Sequence, residues 1–306
     1  MEYICNDCPR RCSALRSDLS GGGFCACGML PTVVRAAPHF GEEPCISGIN
    51  GSGAVFFTGC NLRCVFCQNR EISRGKSDGK VLSVSELRDT FKRLRDTGVH
   101  NINLVTPTHF VRAISEALEG LELGIPVVWN SSGYESVDSL RMLEGLVQVY
   151  MPDYKYAQSD LAAKYSYAPD YPAVALDAIK EMYRQRGTYK LDEDGIMTSG
   201  VLIRHLILPE CEENSMEVID RISDTFPENS VMFSLMSQYT PMPGLERFSE
   251  LQRRIDPAAS RNLYKYMLNC GLTEGYWQDV CSATEEMIPE FDGTGVGENG
   301  EWRIEN

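Results

Sequence analysis

From Gly53 onward the chain alternates short apolar runs with longer segments of helical period. "GAVFFTG" reads as a buried strand, and "NINLVT", "PVVWN", "VQVYM", "GVLIRHLIL" and "SVMFSLM" repeat that pattern downstream. Helical spacing fills the gaps, over 83–98 and near 109–119, 136–144, 172–186 and 214–226. In the first of these, Ser83 followed three residues later by Glu86 predicts a capping box, and Gly98 stands where the helix should stop. Six strands alternating with helices imply parallel pairing, since parallel strands need long crossovers. That many units in about 190 residues predict an α/β fold, an open partial (β/α)6 barrel with a small N-terminal cysteine-rich segment. Right-handed crossovers would place every post-strand loop at one rim. A helix near 258–270 and the segment "LTEGYWQD" follow the sixth strand and are expected at the barrel's side.

Residues 1–50 show no clear hydrophobic period and are rich in Cys, Gly and Pro. Too poor in apolar residues to fold alone, they are expected to be held by a metal or by packing against the rest. The expected organisation is therefore 1–50 as a metal-binding segment, 51–290 as the barrel and 291–306 as an acidic, Gly-rich, loosely ordered tail. No apolar run is long enough for a membrane span, and the N-terminus lacks a signal-peptide core, which gives the expectation of a cytoplasmic protein. A formal charge of -14 over 306 residues argues against binding nucleic acid through phosphate neutralisation.

The 12 cysteines change the picture. A cytosolic chain keeps its thiols reduced, so metal or redox chemistry is the default reading for clustered cysteines. Cys45, Cys211, Cys270 and Cys281 are scattered and read as small buried hydrophobes. Cys60, Cys64 and Cys67 follow a strand with the spacing C-x3-C-x2-C. Structural zinc takes four protein ligands, so three thiolates suit an iron-sulfur cube with one iron left open to a small molecule. Upstream, Cys5, Cys8, Cys12, Cys25 and Cys27 are spaced C-x2-C-x3-C-x12-C-x-C. The first four form a natural set for a second iron-sulfur cluster or for zinc, with Cys27 as a substitute for Cys25, and the Gly21–Gly23 run would let the chain turn back to the metal.

The three-cysteine loop, with Phe66 just before its last cysteine, resembles the signature of the radical S-adenosylmethionine superfamily. That resemblance implies a 4Fe-4S cluster whose open iron binds S-adenosylmethionine, reductive release of a 5′-deoxyadenosyl radical, and hydrogen abstraction from a substrate. The run from "ISGINGSGAVFFTGCNLRCVFCQNREIS" through "NINLVTPTHF", "PDYKY", "LIRHLILPE" and "SLMSQYTP" is similar to pyruvate formate-lyase activating enzymes, over most of residues 3–245. Such enzymes remove hydrogen from a glycine of a partner enzyme and draw electrons from flavodoxin or ferredoxin. Radical modification of a small molecule or peptide is the alternative, and a non-catalytic iron-sulfur or zinc protein is a third reading. Many activases carry a cysteine insert after the loop, whereas residues 70–100 here contain no cysteine.

Asp153 and Lys155 are two apart and so share one side of a strand. The resemblance assigns this Asp-x-Lys to S-adenosylmethionine, the lysine near its carboxylate; a plain rim salt bridge is the alternative. Of the adjacent Arg204 and His205 only one can face the interior, and the resemblance selects Arg204 for the cofactor, leaving His205 to pack between strand and helix. "LVTPTHF" stands where the superfamily often has Gly-Gly-Glu, so any contact to the methionine amino group would use backbone carbonyls near Val105 and Thr106, or Thr106, Thr108 or His109. Thr108 is otherwise a helix cap, with Pro107 shaping the turn. Asn130 and Ser132 end the third strand, where family members place polar contacts to ribose or methionine, though Ser131, Ser132 and Gly133 also suit a turn. Gln238 and Tyr239 end the sixth strand and are expected at the mouth.

Overall fold

The computed structural model describes residues 2–74, 79–278 and 289–296. The chain opens with a hairpin, β1 (Glu2–Cys5) against β2 (Ala14–Ser17), separate from the main sheet. There follow β3 (Thr32–His39), α1 (Pro44–Ser47), β4 (Ser52–Phe57), α2 (Arg70–Ser73), β5 (Lys80–Val81), α3 (Val84–Asp96), β6 (Ile102–Val105), α4 (Val111–Leu118), β7 (Val127–Ser131) and α5 (Val137–Arg141). The second half holds β8 (Val149–Pro152), α6 (Ser159–Ser166), α7 (Tyr171–Arg186), β9 (Lys190–Leu191), β10 (Met197–Leu206), α8 (Glu212–Thr225), β11 (Met232–Met236), α9 (Pro257–Asn269) and β12 (Gly275–Trp277).

The sheet runs β12-β11-β10-β8-β7-β6-β4-β3-β5. The six expected strands are parallel neighbours, and Gly275–Trp277 from "LTEGYWQD" adds a seventh parallel strand beside β11. Strands this thoroughly buried, such as "SGAVFF" with every residue inside, read as continuous apolar runs because both faces are covered. The outer layer is helical. In α3 the predicted capping box is present, and Leu87, Phe91 and Leu94 form the buried stripe at i, i+4 and i+7.

Two expectations about the flanks need correction. Residues 1–50 are not all a metal segment without regular structure: β3 lies antiparallel to β4 in the main sheet. Its "TVVRAAPH" buries Val33, Val34, Ala36 and Ala37, so it faces cover on both sides and lacks the alternation that betrays a half-exposed strand. The tail, expected to be loose, is fastened where it is described. The Gly293 N–H donates to Val34 O and the Ala36 N–H to Thr294 O, both at 3.0 Å, while Phe291 meets Phe56 edge-on. The rest of the outer edge of β3, beyond β5, supplied unpaired backbone groups that this polar segment satisfies. Residues 297–306 and Cys281 lie outside the described residues.

Alternation along each strand divides the molecule in two. Outward positions such as Val55, Leu104, Trp129, Ile203 and Phe233 join the core beneath the helices. Inward positions at the base, Val128, Val149, Met151, Leu202 and Met232, pack on Cys45 and Ile46 of α1, which plugs the barrel from below. The polar inward positions lie above that plug. Among the described residues no helix is long and apolar enough to cross a membrane.

Candidate active site and a second cysteine cavity

The loop after β4 carries Cys60, Cys64 and Cys67 at the C-terminal rim. Cys60 and Cys64 are buried, and all eleven described cysteines are free thiols. The Ser166 hydroxyl donates to Cys64 Sγ (2.9 Å) and the Leu62 N–H to Cys60 Sγ (3.3 Å). Phe66 is wedged edge-on between Tyr165 and Tyr239, with ring centroids 6.4 and 6.3 Å away. Tyr239 therefore supports the loop rather than facing the mouth, and its hydroxyl donates to Leu251 O (2.7 Å). Burial pushes the Cys64 thiol up and the Cys67 thiol to about 12. Thiolates here require a cation to compensate them.

Beside this loop the inward polar side chains converge. Lys155 Nζ donates to Asp153 Oδ2 at 2.6 Å. Asp153 bridges in register to Arg204, whose Nε donates to Asp153 Oδ1 at 3.0 Å. Arg204 also donates through Nη1 to Glu42 Oε2 (3.0 Å) and through Nη2 to Asn130 Oδ1 (2.7 Å). Glu42 Oε1 accepts from Asn103 and Asn130, each at 3.0 Å. Burial alone would raise the Asp153 pKa, but Lys155 and Arg204 hold it below the usual carboxylate range. Burial works against the Lys155 ammonium, yet Asp153 and the nearby Cys64 sulfur outweigh it and raise its pKa. The hydroxyl of Tyr171 accepts from the Lys155 N–H (2.9 Å) and lies 2.8 Å from the carbonyls of both Ser132 and Asp153, fixing two rim loops together.

Glu42, Glu43 and Tyr171 did not stand out in the sequence. A signal for the glutamates existed: Asp153, Lys155 and Arg204 facing one interior leave an uncompensated positive charge, so a further buried acid was required. His205, as expected, turns to the helix layer, with its ring nitrogens 2.8 Å from Tyr154 O and 2.9 Å from Ser215 Oγ. Burial lowers its pKa to about 4.

The remaining candidates separate. Thr106 follows β6 with φ +60, strained for a β-branched residue, and its N–H donates to Asn130 O (2.9 Å). Ser132 Oγ and Gln238 Oε1 are buried near the mouth without a hydrogen-bond partner. Thr108 is not a helix cap: its hydroxyl donates to the buried Glu135 (2.7 Å), which also accepts from Trp129 Nε1, because the turn points it at the helix layer. His109 leaves the mouth altogether. It is buried with Nε2 2.7 Å from Thr58 O and lines a different cavity.

That cavity gathers Cys5, Cys8, Cys12 and Cys25 with Arg16, Gly23, Asn61 and His109. Cys27 does not line it: its Sγ faces Thr58 O at 3.4 Å and packs on Gly59, where an added Cβ would stand 2.3 Å from the sulfur. A Cβ at Gly23 would likewise crowd Cys12 Sγ at 3.1 Å, so both cysteine loops depend on bare backbone. The two regions share a wall. Arg10 Nε donates to Asn61 O (2.7 Å), Arg10 Nη2 to Ser166 O (2.9 Å), and the guanidinium stacks 4.0 Å over Phe24.

A family model described as the radical SAM superfamily matches residues 54–236. The chain belongs to the radical SAM superfamily. A relative from Methanocaldococcus jannaschii, the uncharacterized protein MJ0674, is 32% identical over 229 residues, which cover 71% of this chain and 61% of that protein. Among solved structures, Streptococcus suis SuiB superposes with TM-score 0.52 at 16% identity, over 78% of this chain and 54% of that one. SuiB bound to the precursor peptide SuiA gives 0.51 at 15% identity, over 76% and 50%. At these identities the likeness shows the fold. Membership of the superfamily implies a 4Fe-4S cluster and S-adenosylmethionine, and the site fits both. Three thiols, two of them buried, share one loop, an Asp-Lys pair stands beside them, and unpartnered oxygens of Ser132 and Gln238 are left for a ligand.

Proposed function

We propose that this radical SAM enzyme cleaves S-adenosylmethionine reductively and abstracts a hydrogen atom from its substrate. The observation that carries the reading is the partly buried Asp153–Lys155 pair beside the sulfur of Cys64. When bound, the 4Fe-4S cluster supplies the electron that converts S-adenosylmethionine into methionine and a 5′-deoxyadenosyl radical. Cys60, Cys64 and Cys67 would hold the cluster. Lys155 would meet the methionine carboxylate and Asp153 its ammonium, both desolvated, where each contact is stronger than in water. Arg204, committed to Glu42, Asp153 and Asn130, orients the last two toward the cofactor. Thr106, Ser132 and Gln238 line the mouth for the remaining polar groups, and Phe66 keeps the loop rigid and dry.

The substrate is either a glycine of a partner enzyme, as in the activating enzymes this chain resembles, or a small molecule or peptide. Flavodoxin or ferredoxin is the proposed reductant and the cytoplasm the proposed location. The test is anaerobic reconstitution, reduction with dithionite and assay of 5′-deoxyadenosine in wild type and Cys64→Ala. Product in wild type alone supports the reading; no product in wild type rejects it. A glycyl radical signal with a partner enzyme would select the activase, and a modified metabolite or peptide in mass spectra would select the alternative.

A further inference from the structure

Arg16 is the anomaly of the N-terminal segment. Its side chain is 2% exposed, and its donors go to three carbonyls, Cys27 O (3.1 Å), His109 O (2.8 Å) and Gly28 O. It also approaches Cys5 Sγ, 3.5 Å from Nη1, and stands over the Phe110 ring. Among the described residues no carboxylate forms a direct ion pair with it: Asp7, which lines the same cavity and whose charge Arg16 helps to stabilise, is engaged by Arg112 in a two-pronged pair, by Tyr3 and by the Cys5 thiol. Asp7, already shared with the exposed Arg112, compensates the buried guanidinium only in part, so the cavity Arg16 lines with Cys5, Cys8, Cys12 and Cys25 is suited to further negative charge, which thiolates there would supply.

Four thiols line this one cavity. In a four-iron cube each thiolate takes its own iron, so four cysteines are a complete ligand set. Strain points to the same place: Arg11, Ser13 and Ala26, flanking Cys12, Cys25 and Cys27, all have positive φ.

We propose that Cys5, Cys8, Cys12 and Cys25 hold a second, anionic four-iron cluster, and that Arg16 is the buried counter-charge that sets its reduction potential. The proposal deepens the radical SAM reading by naming its second centre, and it can fail while that reading stands. A positive charge and an N–H···S hydrogen bond both favour the reduced state of a cluster.

The test uses the full chain with Cys60, Cys64 and Cys67 all changed to Ala, reconstituted anaerobically. It should retain about four irons and four sulfides per chain and give an electron paramagnetic resonance signal on reduction. Zinc without sulfide, or no metal, would overturn the cluster. Adding Arg16→Met should lower the midpoint potential, with Arg16→Lys falling between that variant and the parent; a potential unchanged in both would overturn the role of Arg16. If Arg16→Met loses its iron by failing to fold, Arg16→Lys alone carries the test. Deoxyadenosine formation by wild type is a separate readout, so loss of this centre and loss of radical chemistry are distinguishable.

Discussion

Two groups of cysteines lie against each other in this molecule and are built by opposite means. Cys60, Cys64 and Cys67 ride on a loop whose ends are fixed by a seven-strand parallel array, and the charges beside them come from strands. Cys5, Cys8 and Cys12 sit on a hairpin of four-residue strands and its turn, and Cys25 on the loop that follows it, all outside the main sheet. The surrounding charge differs as well. The mouth mixes two cations with Asp153, Glu42 and Glu43, an arrangement that can exchange partners with a zwitterionic cofactor. The N-terminal cavity has the buried guanidinium of Arg16 without a direct ion pair, its one acid, Asp7, being paired to Arg112, an arrangement that suits a permanent anion. The same ligand atom thus serves an open site in one region and a closed one in the other.

The largest expected effect breaks the comparison directly. Cys67→Ala should reduce deoxyadenosine formation to the level of the reductant alone, whereas Cys8→Ala should leave S-adenosylmethionine cleavage within about tenfold of wild type. Equal loss in both variants would mean that the two regions are one site. Next, Glu42→Gln removes the acid that anchors Arg204 and leaves a buried cation short of its partner. It should destabilise the fold by about 3 kcal/mol and slow cleavage by about 10–100-fold. Urea unfolding and cofactor-binding titrations would read this, and the iron content of the N-terminal centre should not change.

A third prediction concerns pH. His205 is buried neutral with its pKa lowered to about 4, so below the ordinary histidine pKa near 6.5 the unfolded chain binds a proton that the folded one refuses. Its contribution is complete above about pH 6.5 and fades as pH falls toward about 4, a change on the order of 3 kcal/mol. The stability difference between wild type and His205→Gln should shrink across that window, and a constant difference would refute the assignment. The smallest effect sharpens the shared wall. Arg10→Ala should cost about 1–2 kcal/mol through its lost hydrogen bonds and stacking, seen as faster amide exchange in residues 2–30 with the barrel strands unaffected.

Much of the barrel was legible because its signals are local. A strand with both faces covered reads as an apolar run, a capping box is four residues long, and C-x3-C-x2-C lies within eight. Asp153 and Lys155 were readable as a pair because strand geometry puts i and i+2 on one side. What escaped was long-range. β3 gave no alternation, Glu42 reaches Arg204 across 162 positions, and Tyr171 ties loops that follow different strands. His109 looked like a mouth residue from its place after β6, and the turn through Thr106 sent it to the other cavity.

The amino-acid sequence by itself determined the superfamily signature, the order of strands and helices, and which residue types were available to hold metal, since each depends on neighbours within a few positions. Only the tertiary structure decided which cysteines share a cavity, that Cys27 faces Gly59 instead, and that Arg16 is buried without a direct ion pair. Those outcomes depend on which distant segments exclude water from a charge, and the free energy of a charge is set by everything around it.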